Sequence, residues 1–521
     1  MASDSHGRSL LVLFTRLRVW FWGFIGDMIG EALYEVMAAI PFRRFFKYPA
    51  PGQSRLNSDI EQEVIKLEGQ IKGVKRECSG PGVLQRIHLN AAGIDIGSRE
   101  HYVAVPEDRD SQHVRVFGCM TPDLHEMARW LKGCGIETVA MESTGVYWVP
   151  VAQILESYGF EVVLVDTRHV RHVPGRKTDV ADCQWLQELH TFGLLSGAFI
   201  PEERVRVLRS YWRQRGSLVE SCSRQIQLMQ KALEQMNVQL HKVLSDISGV
   251  SGQRIIRAIL SGERDPFVLA RMRDRKVKAS EDTVAKALTG DYRQEHLFAL
   301  RQAVELYDFY QQKIAECDQE IERHLAVFES KADPADLRDK PVKKNKRGRR
   351  KNESWIDLRA HLYRITGVDL TRIDGFDSLT VQTIVSECGI DLSKFPTEKR
   401  FVSWLGLCPN NRITGGRVHD SRTRKVHSRA AKVLRLAAQS LHGSKSALGA
   451  FYRRLHARLG PSKAITATAR KLAILYYRML KFGMEYVDRG QQAYEEHYRD
   501  KVLKNLKTQA LTAGYKLVPI Q

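Results

Sequence analysis

The sequence predicts an α/β domain that is followed by a mainly helical region, and three observations lead to this fold class. Short apolar runs alternate with amphipathic stretches between residues 86 and 200. Apolar residues then recur at helical spacing over residues 205–330. An Ala- and Leu-rich helical region with one glycine-containing loop covers residues 355–485. A length of 521 residues suits several domains better than one core.

The α/β domain is predicted to have the element order β-β-β-α-β-α-β-α. Three strands at hairpin spacing come first, in RIHLNAAGIDIG, EHYVAVPE and HVRVFGC. A Thr-capped helix, TPDLHEMARWLKGCG, then leads to the strand ETVAME, the helix VYWVPVAQILESYG and the strand FEVVLVD, before a last helix. We expect three antiparallel strands, extended by parallel strands through helical crossovers.

Four acidic residues lie at the polar ends of these elements. Asp95 ends the first apolar run and Glu142 ends the fourth, whereas Asp179 and Asp182 are spaced to share one face of the last helix. Each residue alone could be a turn, surface or helix-dipole acid. Strand ends meet at one edge of such a sheet, and carboxylates are ligands that Mg²⁺ prefers. Together the four residues predict a Mg²⁺ site for phosphodiester chemistry.

Two heptad seams follow the α/β domain. One runs from Val219 to Val243, and the other runs from Leu300 to Phe328 with Gln311 and Asp318 as polar interruptions. This spacing is typical of a coiled coil and equally of a helical bundle core. The two helices could therefore pair within the chain or between copies. We favour a dimer or tetramer through a coiled coil, because polar seam residues fix register and partner.

The chain is strongly basic, with 81 Lys and Arg residues against 60 Asp and Glu, and a formal net charge of +21. Such a charge favours a polyanionic partner such as nucleic acid. A basic run at Lys343–Asn352 lies within a linker that spans residues 331–354. It is either a phosphate-binding arm or a solvated linker.

The loop in WLGLCPNNRITGGRVHDSRTRKVHSR combines a hydroxyl group, two glycines and several cations. Thr414 precedes Gly415 and Gly416, and paired glycines let a backbone approach a ligand closely. The hydroxyl of Thr414 is therefore a candidate nucleophile or phosphate contact. Arginines nearby can bind phosphate through two hydrogen bonds. The candidate nucleic-acid-binding residues are Arg417, Arg422, Arg424, Lys425 and Arg429.

The two ends of the chain carry less specific signals. Residues 1–50 are apolar and aromatic, but charges interrupt them, and no apolar run reaches the ~20 residues that a membrane span needs. We expect an amphipathic helix that packs on a partner or on the body, and we favour this over the alternative of a peripheral membrane anchor. The eight cysteines contain no C-x-x-C pair, which favours reduced thiols in a cytoplasmic protein. Residues 486–521 are read as a tail.

The motifs together resemble a known family. The set Asp95, Glu142, Asp179 and Asp182 on its β-β-β-α-β-α-β-α core resembles the RNase H-like (RuvC-like) nuclease fold. With the loop GLCPNNRITGGRVHDSRTRKVHSR, residues 86–480 resemble DEDD transposases of the IS110 family, including its IS1111 branch. The resemblance implies a bacterial, nucleoid-associated recombinase of an insertion sequence, with a RuvC-like domain, a coiled coil and a C-terminal transposase domain.

The resemblance also implies roles for particular residues. The four acidic residues would be the tetrad that holds Mg²⁺. Family members use a serine before a glycine to form a covalent link to DNA, and here that position is Thr414, whose extra methyl group restricts χ1. The resemblance further implies a structured guide RNA that pairs with the element ends and the target DNA. Two alternatives stay open: a structure-selective nuclease such as a junction resolvase, and a catalytically inactive nucleic-acid-binding scaffold.

Overall fold

A computed structural model describes residues 85–142, 145–165, 178–337, 352–484 and 486–518. The chain divides into two compact units, one ending at Ser196 and the other beginning at Gly197. The predicted amphipathic segment at residues 1–50 lies outside the described residues, and so does the basic run apart from Asn352. Among the helices that are described, none is both long and apolar enough to cross a bilayer.

Within the described residues, the first unit is a five-stranded mixed sheet with three helices, and the order of these elements agrees with the prediction. The strand order is β3-β2-β1-β4-β5. Strands β1, β2 and β3 are antiparallel neighbours, and β4 and β5 continue from β1 in parallel. This topology is consistent with an RNase H-like fold. The elements are β1 (Ala91–Ile96), β2 (Glu100–Ala104), β3 (Val114–Gly118), α1 (Thr121–Gly133), β4 (Thr138–Glu142), α2 (Trp148–Ser157), β5 (Glu161–Val165) and α3 (Asp179–Thr191).

One detail of the first helix differs from the prediction. Thr121 is the first helical residue of α1 rather than its cap, and Met120 occupies the cap position. The carboxylate of Asp123 accepts a hydrogen bond from the backbone N–H of Met120 at 3.2 Å. A Pro at position 122 suits the first turn, where its missing N–H costs nothing. The helix therefore starts one residue earlier than a threonine cap would allow.

Helix α3 packs directly against the central strand β1. Gly93 lies in the middle of β1, and a Cβ atom there would collide with the backbone of Cys183 and Gln187 on α3. Glycine within a strand often marks such a close approach of another backbone. The strand that carries Asp95 is thus held against the helix that carries Asp179 and Asp182.

The second unit is mainly helical where the structure describes it, and a small hairpin joins two of its helices. Its helices are α4 (Glu203–Gln235), α5 (Leu240–Val243), α6 (Val250–Leu260), α7 (Pro266–Arg271), α8 (Glu281–Leu288), α9 (Gln294–Ala326), α10 (Leu358–Thr366), α11 (Ser378–Cys388), α12 (Glu398–Trp404), α13 (Arg429–Ser440), α14 (Ala447–Leu459), α15 (Pro461–Phe482) and α16 (Gly490–Thr512). Strands β6 (Arg412–Thr414) and β7 (Arg417–Asp420) form the hairpin between α12 and α13.

The two predicted heptad seams meet within the chain. Gln311 on α9 donates a hydrogen bond to the sulfur of Cys222 on α4 at 3.1 Å. Arg215 pairs with Asp318 further along, so the helices run antiparallel. Both polar interruptions of the second seam therefore have partners on α4. The within-chain alternative is the one that the structure contains, and assembly of copies through a coiled coil stays a prediction.

Candidate functional site

The four predicted carboxylates lie around one edge of the sheet in the first unit. Ile94 of β1 pairs with Met141 of the parallel strand β4. Asp95 and Glu142 are the next residues on these two strands, so they are neighbours at the same edge. Asp179 and Asp182 lie in the first turn of α3, whose N-cap residue Thr178 accepts a hydrogen bond from the N–H of Ala181.

Asp95 is the carboxylate most affected by this arrangement. Partial burial, followed by the charges of Asp179, Asp182 and Glu142, raises the pKa of Asp95 to about 6, against an opposing hydrogen bond from the backbone of Ile96. Burial and nearby like charges both disfavour an ionised carboxyl group. The structure therefore brings all four predicted acidic residues into one electrostatic cluster, the acidic cluster.

The acidic cluster meets one requirement of a Mg²⁺ site and lacks another. Carboxylate oxygens are the donors that hard divalent cations prefer. Within the described ranges, however, no group of three or more His, Cys, Asp or Glu side chains is close enough to hold a metal ion. Charge coupling acts over roughly 10 Å, whereas metal–oxygen bonds need about 2 Å. The carboxylates are thus neighbours of suitable chemistry, but they do not form a coordination shell in this structure.

Cys183 is a neighbour of the acidic cluster that the sequence analysis did not single out. It is buried on α3 and donates a hydrogen bond to the carbonyl oxygen of Val180. Burial and the charge of Asp95 raise the pKa of its thiol to about 12. A thiol with so high a pKa stays protonated and is a poor nucleophile or metal ligand. Its role is to fill the contact between α3 and β1.

Thr414 lies at the tip of the β6–β7 hairpin in the second unit. It pairs with Arg417 across a two-residue turn in which Gly415 and Gly416 have φ values of 57° and 76°. Such angles define a type I′ turn and favour glycine at both positions. At the base of the hairpin, the N–H of Asn410 donates to the carbonyl oxygen of Arg422 at 3.0 Å. Thr414 is exposed to solvent.

The five predicted cations occupy different parts of this hairpin and its flanks. Arg417 is exposed at the tip, and Arg429 is exposed at the start of α13. Arg422 is paired with Asp420 at 3.1 Å, and that hydrogen bond lowers the pKa of the Asp420 carboxyl. Arg424 reaches the carbonyl oxygen of Trp404 at 3.4 Å, and Lys425 is exposed nearby.

The prediction missed one basic residue of the hairpin. Arg412, on the other strand, is exposed as well. Its position two residues before Thr414 in NNRITGG was the signal that could have found it.

Two regions of the chain match transposase families. Residues 92–238 match a model of DEDD transposases of IS110 type, described as a transposase. Residues 369–453 match the transposase IS116/IS110/IS902 family. The matches support a transposase of the IS110 family. The first matched region contains the acidic cluster, and the second contains the hairpin with Thr414.

Neither family match separates the IS1111 branch from the rest of the IS110 family. No curated protein matches the chain.

Proposed function

We propose that this IS110-type transposase cuts and rejoins DNA at the ends of an insertion sequence, with the acidic cluster as its Mg²⁺-dependent DEDD tetrad. The observation that carries the proposal is the position of Asp95 and Glu142 at the ends of two neighbouring parallel strands, close enough to Asp179 and Asp182 in the first turn of α3 for all four charges to interact. Strand order supports a RuvC-like version of the RNase H-like fold. The family match over residues 92–238 covers all four acidic residues.

The residues of the chain have distinct parts in this reaction. Asp95, Glu142, Asp179 and Asp182 would hold the cation, and Mg²⁺ held there would supply positive charge for the scissile phosphate and the leaving oxygen. Lone carboxylates would instead repel the phosphate, so the cluster is suited to DNA only with a counter-charge.

Thr414 supplies the nucleophile in the proposed mechanism. A bond forms between its Oγ and phosphorus while the bond from phosphorus to the leaving sugar oxygen breaks. The hydroxyl proton passes to solvent, and the leaving oxygen takes up a proton. Because the phosphoester conserves the energy of the broken bond, the sugar hydroxyl of a free DNA end can attack it and restore a continuous strand. The exposed position of Thr414 at a hairpin tip supports this role.

The proposal includes a guide RNA and an assembly of two or four copies in the bacterial cytoplasm, at the nucleoid. The net charge of +21 supports nucleic-acid partners. The facing seams of α4 and α9 are buried within the chain, so contacts between copies use the outer faces of this helix pair.

The metal role is tested with Asp95→Asn, with Asp108→Asn as the matched control because the Asp108 side chain is 73% exposed. The substrate is the DNA that flanks the gene, with RNA transcribed from the same region. We expect D95N to reduce Mg²⁺-dependent strand cleavage by about 10³-fold or more, as loss of a catalytic group does, and D108N to cleave normally. Cleavage by D95N at the wild-type rate would refute the proposal.

The nucleophile is tested with Thr414→Ala, Thr414→Ser and, as a control in the same loop, Ser421→Ala. We expect wild type, T414S and S421A to form a denaturant-stable protein–DNA adduct, and T414A to form none. If T414A cleaves like wild type, the chain is a hydrolytic nuclease of the resolvase kind. If wild type binds DNA but never cleaves it, the chain is a scaffold.

A further inference from the structure

The β6–β7 hairpin presents an apolar pair to solvent. Ile413 and Val418 are opposite each other on the two strands and are 60% and 56% exposed. Side chains alternate between the faces of a strand, so this pair lies on the face opposite Thr414 and Arg417. Exposed β-branched side chains at a hairpin tip contribute little to folding, because they bury little area. As a cross-strand pair they add only about 0.2–1 kcal/mol to the hairpin, and their exposed surface is available for contact with a partner.

Basic side chains are concentrated in the segment that carries this apolar pair. Residues 409–429 contain six basic side chains and one acidic one, Asp420, which is paired with Arg422. Arg412 and Arg417 precede Ile413 and Val418 along the two strands, and both are exposed. Arg417 lies on the other face of the hairpin, so its long side chain is directed to the sides of a groove and not to its floor. A nucleic acid has phosphates along its backbone and bases with apolar groups between the two backbones. A hairpin that carries both cations and an apolar pair is complementary to such a ligand.

The shape of the hairpin favours duplex DNA over RNA. Residues 409–419 are all exposed, so the hairpin projects from its base at the Pro409–Thr423 bridge. Five residues of extended chain from the base to the tip span roughly 15 Å. The major groove of B-form DNA, about 12 Å wide and 8.5 Å deep, admits a two-stranded ribbon. The major groove of A-form RNA is too narrow and deep for protein side chains to read.

We propose that the β6–β7 hairpin enters the major groove of duplex DNA, where Ile413 and Val418 contact thymine methyl groups while Arg412 and Arg417 bind the flanking phosphates. The thymine C5-methyl group is the apolar feature of that groove. The inference rests on the proposed function for its choice of DNA as the partner. The inference gives the hairpin a part in recognising DNA sequence. The proposed function requires only the hydroxyl group and the cations of this loop.

The test compares binding of the full chain to an alternating A·T duplex and to the same duplex with uracil in place of thymine, in EDTA. Uracil lacks only the methyl group. We expect wild type to bind the thymine duplex about tenfold more tightly, as burial of one or two methyl groups allows. The double variant Ile413→Ser with Val418→Ser should bind both duplexes equally, at the level of wild type on uracil.

Three controls make this result specific. Val327→Ser, at a position 62% exposed on the C-cap of α9, should discriminate like wild type. Arg417→Ala should weaken binding to both duplexes by the same factor, because it removes a phosphate contact. Thermal unfolding of the double serine variant should match wild type, since both side chains are exposed.

Several outcomes would overturn the inference. Equal binding of the two duplexes by wild type excludes contact with thymine methyl groups. Unchanged discrimination in the double serine variant moves the contact elsewhere. Loss of affinity for structured RNA, with duplex DNA binding intact, makes the hairpin an RNA-binding element. Because EDTA removes divalent cations and prevents cleavage, this binding assay does not depend on the proposed metal chemistry, so failure of that chemistry is distinguishable from failure of this inference.

Discussion

The two units of the molecule treat charge in opposite ways. In the α/β unit, like charges are gathered, and Asp95 lies partly buried among three other carboxylates. In the helical unit, opposite charges are paired: Arg215 and Asp318 are 5% and 1% exposed, and two hydrogen bonds join them at 2.6 and 3.4 Å. Paired charges in a core specify structure, whereas an accumulation of like charges costs stability. The acidic cluster therefore costs stability, as the metal role that we propose for it would require.

Breaking the buried pair should have the largest effect on stability. Asp318→Ala leaves the Arg215 guanidinium buried and without its carboxylate, so we expect the free energy of unfolding of the helical unit to fall by about 3–5 kcal/mol. The loss is measured by urea unfolding, with hydrogen exchange of the amides in α4 and α9 as the probe of this unit. The exposed pair Arg257–Asp308, with side chains 49% and 47% exposed, provides the control Asp308→Ala, which should cost about 0–1 kcal/mol. If D318A and D308A lost the same free energy of unfolding, the buried pair would be no more important to the fold than the exposed one, contrary to our prediction.

The stability of the α/β unit should depend on pH through two groups, the buried His190 and the partly buried Asp95, with opposite signs. Burial, with a smaller effect of His88, lowers the pKa of His190 to about 4 from 6.5. Its neutral ring lies 2.9 Å from the hydroxyl oxygen of Thr138. The unfolded chain then binds the proton more readily, so the stability from His190 is present above pH 6.5 and is lost as pH falls toward 4. The total is about 3 kcal/mol.

Asp95 has the opposite pH dependence. Its pKa is raised to about 6, so the folded state gains stability as pH falls through 6 toward 4. The two slopes partly cancel in wild type. We expect His190→Gln, measured by hydrogen exchange of residues 91–165 between pH 6.5 and 4.5, to become more stable in acid by about 2 kcal/mol relative to wild type. Parallel slopes in the two proteins would show that His190 is not neutral and buried.

The smallest change in stability should come from removing one negative charge from the acidic cluster. Asp95→Asn removes a charge that burial and its neighbours disfavour, so we expect the α/β unit to gain about 1–2 kcal/mol at pH 7.5, a value reduced for solvent screening. Thermal unfolding measures it, and D108N should leave the transition unchanged. Added Mg²⁺ should stabilise wild type but not D95N. A loss of stability in D95N would mean that Asp95 serves the fold.

Local patterns were enough to predict the order of elements in the α/β unit. Alternation within β1 and helical spacing within α3 depend on residues close together in the chain. The same reasoning placed Asp95 and Glu142 at one sheet edge, because parallel strands align their carboxyl ends. It misplaced the cap of α1, since a threonine beside a proline satisfies the pattern of a cap and of a first helical residue equally well.

The choice of partners depended on the tertiary structure. Heptad spacing left open whether α4 meets α9 or another copy, and the fold decided it by setting Arg215 opposite Asp318. The packing of α3 on Gly93, which brings two carboxylates to a third, and the exposure of Ile413 and Val418 are likewise absent from any local pattern. Periodicity states which face of an element is apolar, but contacts between distant residues determine what that face meets and which side chains stay exposed.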